Sequence, residues 1–458
     1  MKKLGKKFLL ILLTAVTLRI LLLIWVIPLP FASNGDLTRY EDWAQVAHIY
    51  SLSDTYSSKH LGNLLNNQPP GTLYALSATY ETYIIAGKLI AHITHTKAGS
   101  ILWVNTFFLH LWMRFPSILA ELIMGILAYL LVAQKKDDTS GLLAAGLIWF
   151  NPALFYNSTL WGQMDSINNV FFILSLFFAF RKNILLSVFS YAVSLYIKLS
   201  LLPLLPFYVI FLFFLCGKKL FPLIRSFLLA ALGIVIATFA ISNNPLMWLV
   251  LHLPQLAGGE LQNVTNAAFN FWWAITCGPT CNYPPVIDVT FLWITLNIWG
   301  YVFFAIATLP LLYLQLKKNV QLITKEHIIL GFSLVAFATF LFLPKMHDRY
   351  LYPFFPLFAI FIGLTKYKKN YLILYTLLSL MHLLNLIYSW FPTYFPYFFI
   401  YRVVYSRLYD WILSLFIVSL AAIVYGISYL LLWTTPKSSS DLQTHTVKRV
   451  RKKPQRKK

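Results

Sequence analysis

Few residues in this chain can do chemistry, and they come in short runs. The 458 residues include only 15 carboxylates. Asp36, Arg39, Glu41, Asp42 and Trp43 stand together, with His48 close behind. Asn66-Asn67-Gln68-Pro69-Pro70-Gly71 follows, with Tyr74 after it. A third run, residues 151–166, holds Trp161, Gly162, Gln163 and Asp165. A fourth, residues 263–273, holds Asn270, Trp272 and Trp273. The last, residues 343–353, contains His347, Asp348 and Arg349, while Lys198 stands alone among apolar neighbours. Carboxylates beside one or two cations suit group transfer to a hydroxyl. A positioned, partly desolvated carboxylate takes the hydroxyl proton. Arginine or protonated histidine steadies a departing phosphate without a metal, although the sequence does not exclude a divalent ion. No Walker loop and no dinucleotide fingerprint occurs, so ATP or nucleotide-sugar chemistry has no support.

These runs must be positioned by elements that are mostly apolar. Apolar types make up 59% of the chain and charged types 11%. A soluble protein carries about 25% charge, so a soluble enzyme is excluded. The apolar residues lie in blocks near the ~20 residues that cross a bilayer as a helix, and the alternating segments of a β-barrel are absent. The expected class is an all-α polytopic membrane protein of about twelve transmembrane helices. The spans fall near 8–30, 103–133, 141–157, 166–180, 184–198, 200–216, 222–241, 287–313, 326–343, 350–365, 371–389 and 410–433. The membrane domain is 1–433, and 434–458 is a basic cytoplasmic tail held near anionic lipid.

Basic residues favour the cytoplasmic side. With both ends inside, 26 of the 37 lysines and arginines fall there, and only four of the 15 acids. That placement explains the net charge of +22 without nucleic acid. Two long segments, about 31–102 and 242–286, are then outside. Residues 71–96 read as a helix at the outer interface, because a thirteenth span would put Lys135 and Lys136 outside. The first helix reads as a retained anchor rather than a cleaved signal. All the polar runs, and Lys198, then share the outer face.

Each residue also has a plainer reading. Asp36 and Asp42 can solvate a loop. Asp165 can cap the helix beginning at Ser166. Lys198 can snorkel to the interface. His347, Asp348 and Arg349 can form an ordinary charged turn. Trp43, Trp161, Trp272 and Trp273 read either as an interfacial belt or as platforms for stacking a sugar. Cys277 and Cys281 flank Gly-Pro-Thr and read as a small disulfide loop or as two free thiols. Two cysteines without nearby histidine give too few metal ligands.

Taken together the runs resemble the GT-C glycosyltransferases. Gly35-Asp36, Trp43, the Pro69-Pro70 pair and Tyr74 resemble the first luminal loop of the glucosyltransferases that extend the lipid-linked N-glycan precursor, and of their prokaryotic relatives. Asn151-Pro152-Ala153-Leu154 with Trp161-Gly162-Gln163-x-Asp165 is similar to the next motif of the prokaryotic members. Asn266-Ala267-x-Phe269-Asn270-x-Trp272 is similar as well. His347-Asp348-Arg349-Tyr350-Leu351 resembles a late His-Glu-Arg motif, with Asp replacing Glu. The resemblance implies a polyprenyl-phosphate sugar donor, an inverting reaction and no cofactor. It implies Asp36 as base, and His347 and Arg349 near the donor phosphate; Lys198, one of the few cations expected at helix ends on the outer face, is expected to assist them. Asp42, Trp43, Gln68, Trp161, Gln163, Asp165, Asn270 and Trp272 are expected around the substrate. Trp-Gly-Gln replaces the His-rich run of the eukaryotic glucosyltransferases, so glucose and an N-glycan precursor are not fixed as donor sugar and acceptor. Expected partners are membrane lipid, the lipid-linked donor and a glycan, lipid or protein acceptor. The expected location is a bacterial cytoplasmic membrane, or the endoplasmic reticulum of a eukaryote.

Two other classes compete. A ligase or polymerase with a polyprenyl-diphosphate donor calls for more basic residues outside. A transporter calls for broken helices, repeats and paired charges near the midplane.

Overall fold

The computed structural model describes residues 5–26, 35–62, 65–95, 106–258, 262–277, 284–318, 324–394 and 407–434. Helix α1 (Lys6–Val26) is apolar on nearly every face. The first polar run starts α2 (Asp36–Ile49), where Gly35 takes φ 83°, a left-handed conformation that glycine adopts without steric cost. A 3-10 turn (Ser53–Tyr56) and a short α3 (Ser58–Leu61) lead to α4 (Pro70–Ile93). Pro70 opens α4, where its missing N–H and fixed φ cost nothing.

Helix α5 (Thr106–Ala133) pairs along its length with α6 (Asp138–Trp149). The expected span 141–157 is broken after Trp149. Asn151 ends it by capping α7 (Pro152–Phe155), its side chain accepting from the backbone N–H groups of Ala153 and Leu154. A π-helical turn (Tyr156–Trp161) follows, a form frequent at functional sites. Helices α8 (Asp165–Phe180) and α9 (Ile184–Ile197) form the next hairpin. A 3-10 stretch (Leu199–Leu204), α10 (Leu205–Leu215) and α11 (Leu220–Thr238) continue the chain.

The second long segment holds α12 (Pro245–Gly258), β1 (Thr265–Asn266) and α13 (Phe271–Thr276). Residues 287–295, expected at the start of a span, instead form turns and a hairpin of β2 (Thr290–Phe291) and β3 (Ile294–Thr295). Then come α14 (Leu296–Lys318), α15 (Lys325–Phe342), β4 (Met346–His347), a 3-10 turn (Asp348–Leu351) and α16 (Phe354–Leu364). Helices α17 (Lys368–Tyr394) and α18 (Arg407–Thr434) complete the described chain.

The fold is that of a helical membrane protein. Among the described residues seven helices, α1, α5, α11, α14, α15, α17 and α18, are long and apolar enough to cross a bilayer. Helix α4 is long enough but is not among them. Every residue of α16 is buried, and α15 is buried almost throughout, so these two form the centre. Helices α1 and α11 expose apolar side chains, as lipid-facing helices do.

The charges separate along the helix axes. Lys325, at the start of α15, lies within electrostatic reach of Lys135 and Arg181. Arg181 follows the last residue of α8, and Asp165 is its first. The polar runs therefore sit at the opposite end of the same helices from this basic cluster.

Candidate active site

Four of the polar runs meet at one end of the bundle. Asp36 is the first residue of α2. One carboxylate oxygen, Oδ2, accepts from Gln163 Nε2 at 2.6 Å and lies 3.4 Å from Arg349 Nη1. The Arg349 Nε atom is 3.7 Å from Asp165 Oδ2, and Nη1 is 3.9 Å from Asp348 Oδ1. Lys198 Nζ donates to Asp165 Oδ1. Asp165 thus does not act as an N-cap. It is the first helical residue, after the N-cap Met164, and its carboxylate goes to the ion cluster. Lys198 does not snorkel to a surface, because it is buried against Asp165.

The backbone explains this convergence. Lys198 ends α9 in extended conformation, so its side chain turns towards the start of α8. Ser194 Oγ donates to Asn168 O at 2.7 Å and Asn168 Nδ2 donates to Ser200 Oγ at 3.0 Å, tying α9 to α8 on both sides of Lys198. The late run is held by a parallel strand pair, with Thr265 opposite Met346 and Asn266 opposite His347. Asn266 Nδ2 is 3.0 Å from His347 Nδ1.

Several residues expected around the substrate make contacts within the protein. Asn270 caps α13 and donates to Phe340 O at 2.9 Å, while Trp272 Nε1 donates to Phe342 O at 2.7 Å. Both fasten the second long segment to the end of α15. Gln68 Nε2 donates to Asn67 Oδ1, and the Gln68 carbonyl accepts from Tyr56. The Pro-Pro run docks α4 onto α9, since Thr72 Oγ1 donates to Ile197 O at 2.6 Å, next to Lys198. Asp42 is half-buried and makes no ion pair among the described residues.

Trp43, Trp161, Trp272 and Trp273 are all buried within the protein, so they do not form an interfacial belt. Trp43 packs on Tyr40. Trp161 lies beneath the guanidinium of Arg349, 5.5 Å from ring centre to Cζ, and stacks on Trp390. Cys277 is disulfide-bonded and Cys216 is a free thiol; Cys281 lies outside the described residues.

Electrostatics sort the groups into roles. Burial works to raise the Asp36 carboxyl. Arg349, then the Gln163 hydrogen bond and the charge of Lys198, outweigh it and hold Asp36 below the usual carboxylate range. Burial would depress Arg349, but Asp36, Asp348 and Asp165 hold its proton more tightly than usual. Asp348 is pushed up to about 6 by burial. His347 is pushed down to about 3 by burial, then by Arg349 and Lys198. The sequence allowed a protonated histidine here. The structure instead makes His347 neutral at pH 7, able to offer an N–H but no charge. Burial, then Asp36, keeps the Tyr40 hydroxyl protonated, and it donates to Gln163 Oε1 at 3.1 Å.

One set of residues was not singled out in the sequence. Helix α5 carries His110, Arg114, Ser117 and Glu121, spaced four, three and four residues apart on one face. All four are buried, and each touches an element of the site or its support. Their polarity and spacing inside an apolar span were the available signal. Among the described residues no group of three or more His, Cys, Asp or Glu could hold a metal ion. No protein-family model and no curated protein matches the chain.

Proposed function

We propose that the chain is an integral-membrane glycosyltransferase of the GT-C type. It takes a hexose from a polyprenyl-phosphate donor and passes it to a hydroxyl of a glycan, lipid or protein acceptor. In this reading all twelve apolar segments cross the membrane with both ends cytoplasmic. The basic cluster at the start of α15 faces the cytoplasm, and the site faces outward. The supporting observation is the Asp36–Arg349 contact, which brings a carboxylate after the first helix to a buried arginine more than 300 residues away.

Each group has a stated task. Asp36 takes the acceptor proton as the acceptor oxygen attacks the anomeric carbon. The bond from that carbon to the phosphate oxygen breaks, and its electron pair leaves with polyprenyl phosphate. Arg349 and Lys198 offset the charge on the phosphate, and His347 donates an N–H. In an inverting displacement the base and the leaving group sit on opposite faces of the sugar. Asp36 and Arg349 are 3.4 Å apart, so the sugar must enter between them and open the pair. Arg349 is suited to that exchange, because its Nε makes no hydrogen bond and its carboxylate distances are long. Arg349 then exchanges a carboxylate for a phosphate, keeping a forked, charge-assisted contact.

One observation favours the transporter reading. Arg19 in α1 pairs with Glu121 in α5, both fully enclosed within candidate spans. Arg19 also donates to Ala15 O at 3.0 Å and Trp149 O at 3.1 Å, and Ser158 donates to Glu121. These bonds fix the pair as a brace between helices rather than leaving it on a path. Purified protein incubated with a panel of polyprenyl-phosphate sugars separates the two. Glycosyl transfer releases polyprenyl phosphate, whereas a transporter moves solute across vesicles and releases none.

A further inference from the structure

Asp36 and Gln163 come from different segments, yet they must hold a 2.6 Å hydrogen bond inside a site that admits a sugar. Something must keep the two segments in register, and α5 has the geometry for it. At its outer end the His110 ring pairs with Glu41 of α2 through Nδ1. Both side chains are buried. One turn further on, Arg114 is completely buried. Its Nη1 donates to His110 O at 2.9 Å, and its Nη2 donates to Leu160 O at 3.1 Å.

Leu160 leads into the turn that delivers Gln163. Gly162 there has φ 84°, and an added Cβ would lie 3.2 Å from Leu37 of α2 and 3.3 Å from Cγ of Arg114. Glycine at this point lets the turn close on both. The next α5 turn holds the segment again, as Ser166 Oγ donates to Ser117 O at 2.7 Å. The contacts form a closed ring, from Asp36 through α2 to Glu41, His110, Arg114, Leu160 and Gln163, and back to Asp36.

We propose that His110 and Arg114 are positioning residues, which lock α2 and the Trp161–Gln163 turn to α5 so that Gln163 stays on the Asp36 carboxylate. They touch neither Asp36 nor the phosphate-facing cations, and they act through Glu41 and Leu160. Their importance for turnover rests on the glycosyltransferase reading, but the lock itself does not.

The test pairs an exchange measurement with a mutant cycle. In His110→Gln, amide hydrogen exchange in residues 36–43 and 157–164 rises at least tenfold, while exchange at the far ends of α8 and α9 is unchanged. Arg114→Lys keeps one of the two carbonyl contacts and gives a smaller rise in 157–164. Exchange is read whether or not the protein turns over a donor, so failure of the enzymatic reading shows up separately, in the wild type. For the cycle, His110→Gln and Gln163→Leu each lower kcat at least tenfold with the donor KM within twofold. Each also moves the acid limb of the pH profile upward, because the carboxylate of Asp36 loses a hydrogen bond. The double variant is no worse than Gln163→Leu alone. Unchanged exchange in both single variants, or additive losses in the cycle, overturns the proposal.

Discussion

The Arg349 guanidinium faces three carboxylates at 3.4, 3.7 and 3.9 Å, while its backbone N–H alone bonds closely, to Asp348 Oδ1 at 2.8 Å. A guanidinium held this way is ready for a better acceptor, and phosphate is one. Its contribution as a charge-assisted contact is about 1.5–3 kcal/mol, or one to two decades in rate. Arg349→Ala should therefore lower kcat/KM for a polyprenyl-phosphate sugar by that amount. Arg349→Lys should also be impaired, since lysine cannot make the forked contact. Normal turnover in Arg349→Ala would remove the phosphate role. Asp348 makes a different prediction. Its carboxyl is pushed up to about 6, above the usual value, so its ionised form is costly in the folded state. The folded state binds more protons there, and this group's contribution to stability is full below pH 4 and lost as pH rises through 6. Ionising it at pH 7.5 costs on the order of 3 kcal/mol. Asp348→Asn should then raise the melting temperature at pH 7.5, with the gain shrinking as pH falls through 6 and gone only below the ordinary carboxylate value near 4. An equal effect at both pH values would show that Asp348 is not held this way.

At the scale of elements, the Pro-Pro run matters through docking. Thr72→Val keeps the shape but leaves the Ile197 carbonyl without its donor, at a cost of about 1–3 kcal/mol. A lowered melting temperature for Thr72→Val is expected, and an unchanged one would detach α4 from the support of Lys198. The same contact shows what sequence could and could not reveal. Asp36, Gln163, Asp165, Lys198, His347 and Arg349 were legible because polar residues at the ends of apolar blocks stand out. Gln68, Asn270 and Trp272 look equally polar or aromatic in sequence, yet they tie loops and cap a helix. Nothing local separates a cap from a ligand. The hairpin at 290–295 was hidden because a short apolar run has no periodicity that distinguishes strand from helix. The break at Asn151-Pro152 did carry a cap-and-proline signal. The α5 stripe was overlooked because its polar residues are diluted in 28 mostly apolar ones, although their spacing marks a single face.

Across the whole molecule, outward-facing chemistry requires the site and the basic cluster to face opposite sides of a membrane. A single cysteine introduced at Lys59, in the first long segment, should react with an impermeant reagent only from outside. Labelling from the cytoplasmic side alone would reverse the orientation and remove the site from the outer face. The chemical claim converges on Asp36, the carboxylate that meets both Gln163 and Arg349. General-base catalysis contributes about 10²–10⁴-fold, and Asp36→Asn removes the base while keeping its shape. The most direct measurement is the rate of polyprenyl-phosphate release by Asp36→Asn, set beside Asp42→Asn and Asp165→Asn under saturating donor. Asp36→Asn should fold, bind donor and turn over at least about a hundredfold more slowly, with Asp42→Asn close to wild type. Wild-type turnover in Asp36→Asn, with loss in Asp42→Asn or Asp165→Asn, would contradict the role of Asp36 as base.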